Sequence, residues 1–235
     1  MRTLTPIAAV IAAAAVTVSL TACAADDTEQ TTGAVTLQNC GRTVSLAAPA
    51  TRGITVNQGA TESALAIGAE KDLVGTAYLD DRIAPQFRAA YDSVPVIATK
   101  YPDLETVLAA KPDLVAASYS SAFADGGIGG RDEFADLGIA TYVSPFGCQN
   151  KADRPDPSWE AIADEVSDYG VLFGRSAAAD RVNERMNKKL AELEAADTGR
   201  NTSVLWWDAG TDTPSVGARD GGPQLIMDAV GAKNI

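Results

Sequence analysis

Across positions 34–46 two runs of β-forming residues flank Asn39-Cys40-Gly41, which predicts a hairpin with Gly41 supplying the turn. From position 52 onward, short apolar runs alternate with segments of helical period. The runs at 52–56, 72–76, 94–97, 113–118 and 139–143 read as strands, and 60–68, 84–91, 103–110 and 131–137 read as helices. This alternation predicts an α/β lobe with a parallel sheet and helices on both faces, spanning 35–157. Positions 145–157 are rich in chain breakers and form a linker. Two helices follow, at 158–173 and 176–196, within a helical region that reaches 199. Ser158 is the N-cap of the first, and Val182, Met186, Leu190 and Leu193 keep helical spacing along the second. Gly174 separates the two helices and Gly199 ends the second. About 20 residues of helix reach roughly 30 Å, so the second helix is read as a rigid strut between lobes. A strand at 202–207 and a helix at 223–231 open a second lobe over 200–235. One strand and one helix cannot bury a two-faced sheet, so this lobe is read as truncated, or as completed by a segment elsewhere.

The N-terminus bears on compartment. Arg2 precedes an apolar run at 6–20, shorter than a membrane span, and small residues follow, as in a secretory signal over 1–22. Leu20-Thr21-Ala22-Cys23 resembles the bacterial lipobox, which implies cleavage before Cys23 and lipid on its thiol. Positions 23–34 are small, polar and acidic, and read as a flexible tether. Lipidation leaves two of the three cysteines, Cys40 and Cys148. In an oxidising compartment an isolated pair favours a disulfide.

Composition then removes function classes. The net charge of −12 opposes non-specific binding to nucleic acid or anionic lipid surfaces. Histidine is absent, which removes Ser-His-Asp and Cys-His catalysis and imidazole metal sites. No Walker A loop is present, and in the glycine-rich stretch 126–132 Asp132 occupies the place of the third glycine of a dinucleotide loop. No cofactor and no metal site are expected.

The stretch PDLETVLAAKPDLVAAS (102–118) resembles the Glu-bearing helix, Lys-Pro-Asp turn and buried strand of substrate-binding proteins of ABC importers for ferric siderophores, haem and cobalamin. TVNQGATESALAIGAEKDLVGTAY (55–78), DEVSDYGVLFG (164–174) and GGPQLIMDAVGAKNI (221–235) resemble further pieces of that family in the same order. The resemblance covers 35–235. It implies a two-lobed periplasmic-binding-protein-like fold with a long interlobe helix, and a monomer without enzymatic activity. It also implies a small-molecule ligand, foremost a ferric siderophore, and an ABC permease and ATPase as partners. Glu105 falls at the family position that docks onto permease arginines. As a first-turn acid it would equally complement the helix dipole.

Open α/β sheets bind ligands beyond the carboxyl ends of their strands. Those ends supply Asn57, Gln58 and Gly59; Tyr78, Asp80 and Asp81; Lys100 and Tyr101; Tyr119 and Ser120; and Ser144 and Phe146. The second lobe adds Trp207, Asp208 and Thr211. From these, Asn57, Gln58, Tyr78, Tyr101, Tyr119, Ser144, Phe146, Trp207 and Asp208 are read as ligand-binding, and Trp206 as core. Two competing functions share this sequence: a hydrolase pairing Asp80 or Asp81 with Asp208 across the cleft, and a lipoprotein receptor that senses a ligand for a membrane partner. Haem and cobalamin are the alternative ligands.

Overall fold

The computed structural model describes residues 33–217 and 220–235. The signal segment, the lipobox with Cys23 and nearly all of the tether lie outside them. The hairpin forms as β1 (Val35–Asn39) and β2 (Arg42–Leu46), with both turn residues left-handed, at φ 52 for Cys40 and 72 for Gly41.

The main sheet has five parallel strands: β3 (Gly53–Val56), β4 (Leu73–Ala77), β5 (Val96–Ala98), β6 (Leu114–Ala117) and β7 (Ala140–Val143), in the spatial order β5-β4-β3-β6-β7. Helices α1 (Gln58–Ala66), α2 (Arg88–Tyr91), α3 (Leu104–Ala109) and α4 (Arg131–Asp136) connect them. The expected helix at 84–91 is shorter than its pattern. Pro85 opens a single 3-10 turn over Pro85–Phe87 before four α residues.

Period-two alternation splits the core into two layers. On β6, Leu114 and Ala116 face a cluster holding α1, Tyr142, Tyr169, Leu172 and Phe173, while Val115 and Ala117 face Val107, Ile128 and Phe134. Gly53 is required by close approach, because a Cβ there would lie 2.9 Å from the Phe173 ring. Within the sheet, Thr61 Oγ1 joins Thr55 Oγ1 at 3.0 Å and Thr76 Oγ1 at 2.8 Å, which satisfies three buried hydroxyls together.

The hairpin is docked on β7 by one side chain. Asn39 donates from Nδ2 to the Val143 carbonyl at 2.7 Å and accepts from the Val143 amide at 2.9 Å, so its carboxamide acts as one more rung on an edge strand. Arg131, whose guanidinium burial lowers its pKa to about 10, donates to the same Asn39 oxygen at 3.1 Å. Asn39→Ala leaves a buried amide and carbonyl unpaired, and chemical denaturation should show a loss of about 2–4 kcal/mol. A loss under 0.5 kcal/mol would show that this rung does not hold the hairpin.

Helices α5 (Trp159–Leu172) and α6 (Ser176–Ala196) pack on each other, with Ser158 Oγ accepting from the Ala161 amide as N-cap. The strut begins on the first lobe, where Arg175 donates to Asp72 from Nε at 3.0 Å and Nη2 at 2.7 Å. It ends earlier than Gly199. Asp197 takes the left-handed cap at φ 44, and the Gly199 amide instead donates to the Val230 carbonyl at 2.7 Å.

The expected strand at 202–207 is broken. β8 (Ser203–Val204) pairs in parallel with β11 (Lys233–Asn234), whereas β9 (Trp207–Ala209) turns away to pair antiparallel with β10 (Ser215–Val216). Helix α7 (Gly222–Ala229) lies between β10 and β11 in the chain. No helix among the described residues is long and apolar enough to cross a membrane.

Candidate functional site

The strand order places β3 at the centre, with the chain moving outward to β4 and β5 on one side and to β6 and β7 on the other. Loops leaving β3 and β6 therefore diverge to opposite faces and leave a crevice between their carboxyl ends. Ser118 and Gly59 meet there. Ser118 Oγ accepts from the Ala60 amide at 2.9 Å and would stand 2.9 Å from any Cβ at position 59.

Around this crevice the expected residues divide into three groups. Asn57 and Gln58 follow β3 directly, at the N-terminus of α1. Asn57 is left-handed at φ 73 and almost fully buried, with Oδ1 unpartnered among the described residues. Gln58 donates to Glu62 at 2.9 Å and to the Arg82 carbonyl at 3.2 Å, and accepts from the Asp81 amide at 3.0 Å, so its amide secures the loop after β4.

Tyr78 and Tyr101 form the second group, on the β4–β5 side. Their rings meet edge to face at 4.8 Å, and Tyr101 Oη shares a hydrogen bond with Ser121 Oγ at 3.1 Å. Tyr78 is also left-handed, at φ 53. Two non-glycine residues in this region at adjacent strand ends are strained by about 1–3 kcal/mol each, a cost that concentrates at functional sites.

The third group lies beyond β6 and β7. Tyr119 is 53% exposed, and Phe146 sits in the 3-10 turn Pro145–Gly147. Ser144 donates from Oγ to Glu165 on α5 at 3.0 Å. Burial pushes Glu165 up to about 7 against the opposing pull of that hydroxyl, and the neighbouring Asp168 charge adds to the rise. Asp168 is itself raised, first by burial, and accepts from Tyr142 Oη at 2.8 Å. Glu165 and Asp168 line a cavity of about 340 Å³ with Arg154 and Pro145.

In the second lobe Trp207 is 59% exposed, while Asp208 accepts from Trp206 Nε1 at 2.9 Å. No hydrogen bond among the described residues joins either Trp207 or Asp208 to the first-lobe groups, and none links Asp208 to Asp80 or Asp81. Trp206 is half-buried near Gly217.

Sequence reasoning missed Glu165 as the partner of Ser144. Its signal was present: Ala161, Glu165, Asp168 and Leu172 share one helical face, so carboxylates recur on the stripe that packs inward. It also missed Ser118 and Ser121, which no local pattern distinguishes. Glu105 stands exposed in the first turn of α3, where Asp103 caps the helix by accepting from the Thr106 amide at 2.8 Å. Cys40 and Cys148 form the expected disulfide. Among the described residues no group of three or more acidic or thiol side chains is placed to hold a metal ion.

Comparison with known proteins places this geometry. No curated protein matches the chain. A periplasmic binding protein of Veillonella parvula aligns with a TM-score of 0.72 at 23% identity, over 87% of this chain and 67% of its own. An ABC-type Fe3+-hydroxamate transport system structure from Saccharomonospora viridis aligns at 0.68 and 21% identity, over 85% and 69%. The periplasmic haem-binding protein of Vibrio cholerae aligns at 0.60 and 17% identity, over 79% of this chain and 66% of its own. At these identities the likeness is one of fold, and the chain spans about two thirds of each structure. The family model described as periplasmic binding protein matches residues 54–235, from the first strand of the main sheet to the last residue. That match covers well over half of the chain, and the chain belongs to the periplasmic binding protein family.

Proposed function

We propose that this chain is an extracytoplasmic, lipid-anchored solute-binding protein that delivers an iron chelate, foremost a ferric siderophore, to an ABC permease and its ATPase. The observation that carries the reading is the wall of aromatic and hydrogen-bonding groups around the β3–β6 crevice, within a chain of this family. Concave small-molecule sites combine apolar surface with a few convergent polar groups in this way. The names of the Saccharomonospora viridis and Vibrio cholerae structures, for Fe3+-hydroxamate transport and haem binding, favour iron in a chelated form. The anchor rests on Leu20-Thr21-Ala22-Cys23 in the sequence.

Native mass spectrometry of the full-length protein with a panel of ferric siderophores, haem and cobalamin tests the ligand. A one-to-one complex with a ferric siderophore is expected. A complex with haem or cobalamin alone would reassign it, and turnover of any panel member would contradict a binding protein.

Docking is tested separately. Glu105 is exposed beside the strand ends, where a carboxylate can pair with a guanidinium in bidentate geometry. Glu105→Arg should leave ligand affinity unchanged and reduce uptake in cells about tenfold or more, the scale expected when a charge-assisted pair becomes a repulsive one. Uptake at the wild-type rate would leave Glu105 as a helix-end charge only.

A further inference from the structure

We propose that Lys100, braced on the ring of Tyr78, selects a ligand of net negative charge. The iron chelate bound here then carries unneutralised catecholate or carboxylate oxygens. This deepens the iron-chelate reading above and rests on it.

Lys100 lies two residues beyond β5, at the open end of the sheet. Its Nζ stands 4.7 Å from the centre of the Tyr78 ring. Tyr78 is held by the edge of Tyr101 at 4.8 Å, and Tyr101 by Ser121 at 3.1 Å. The ammonium is thus positioned by contacts that cross the segments following β4, β5 and β6. Tyr78 keeps its ring there from a left-handed backbone at φ 53.

The aromatic brace leaves the charge in place. A ring face attracts a cation through its quadrupole but carries no formal charge to neutralise it. Three arginines, by contrast, are engaged: Arg42 with Asp132, Arg175 with Asp72, and Arg154 with the Cys148 carbonyl. Among the described residues no carboxylate lies within ion-pair distance of Lys100. On the neighbouring loop the Arg82 side chain likewise has no acceptor among the described residues, while Gln58 fixes its carbonyl. Asp80 and Asp81 on that loop are exposed and form no ion pair with Lys100 among the described residues, and solvent screening weakens their pull on it. A cation seated on a π surface suits a flat, oxygen-rich anion. A neutral tris-hydroxamate offers it no charge to meet.

The test uses the full-length protein, its Lys100→Gln and Lys100→Arg variants, and quenching of tryptophan fluorescence. The probes are a ferric tris-catecholate, ferric citrate and a neutral ferric tris-hydroxamate. Wild type should bind an anionic chelate more tightly than the hydroxamate, and added salt should weaken only the anionic complex. Lys100→Gln should weaken the anionic complex about tenfold or more, as expected for loss of a charged hydrogen bond, with the hydroxamate unaffected and Lys100→Arg near wild type. Preference of wild type for the hydroxamate, or equal behaviour of both chelate classes in Lys100→Gln, overturns the proposal. Failure of wild type to bind any of the three chelates instead defeats the iron-chelate reading, and charge selection among chelates with it. Lys100 is exposed, so thermal melts of the variants should superpose on wild type.

Discussion

Replacing Cys40 and Cys148 together by alanine is expected to lower stability by about 4 kcal/mol, the scale for removing a cross-link that closes a loop near 100 residues. The bridge joins positions 108 apart, and all five strands of the main sheet lie inside that loop. The unfolded chain regains the freedom of the whole first lobe when the bridge is removed. Cys148 is fully buried, so the alanine pair also loses some packing on the hairpin side. Two features work against a larger effect. The Asn39–Val143 rung and the Arg42–Asp132 ion pair still dock the hairpin. Urea denaturation of the double variant beside wild type measures the difference, and non-reducing peptide mapping establishes that wild type carries the bridge. A difference below 1 kcal/mol would mean that the loop is already restrained in the unfolded state, or that the rung alone suffices.

The second large effect is a stability that falls as pH rises through neutrality. Glu165 lies at about 7 in the folded chain against 4.5 ordinarily, because burial disfavours its charged form. Between those values the folded chain keeps a proton that the unfolded chain has lost. The stability contributed by this group is therefore complete below about pH 4.5 and is lost as pH climbs through about 7. A shift of this size corresponds to roughly 3 kcal/mol. Asp168, raised in the same direction, steepens the slope. Glu165→Gln keeps an oxygen to accept from Ser144 and removes the titration. At pH 8 it should be more stable than wild type by about 2–3 kcal/mol, and the two should converge at about pH 4. Urea titrations at both values decide this. Parallel slopes for wild type and variant would show that Glu165 does not titrate in this range.

This pH dependence reaches the candidate site through Ser144, whose hydroxyl Glu165 holds. The sequence supports part of this and is silent on the rest. Ser144 was legible because a residue following a parallel strand faces the open end of the sheet whatever surrounds it. Its partner lies 21 positions away on another element, and the contact depends on how α5 lies across β7. The same holds for the carboxamide of Asn39, which meets Val143 across 104 positions, and for Arg175 with Asp72 across 103.

Where one face of an element must be apolar, the pattern of residues is enough. The short apolar runs place β3, β4, β6 and β7 within a residue or two of 52–56, 72–76, 113–118 and 139–143, and the helical spacing places α5 and α6. The strands are largely buried on both faces and so read as continuous apolar runs, while the helices bury one face and keep a helical period. The segment 202–207 lacked that restraint. Its apolar residues suit one strand, yet Leu205 and Trp207 stay 55% and 59% exposed, and the run divides between pairing with β11 and pairing with β10. Apolar composition alone does not choose a pairing partner, and pairing is a contact between distant parts of the chain. The likeness in sequence order led to the family and to the end of the sheet where a ligand would sit. The use of Gln58 to secure a loop, the ring of Tyr78 beneath Lys100, and the carboxylates turned inward on α5 came only with the folded chain. Each is a meeting of side chains from separate elements, set by packing rather than by any local period.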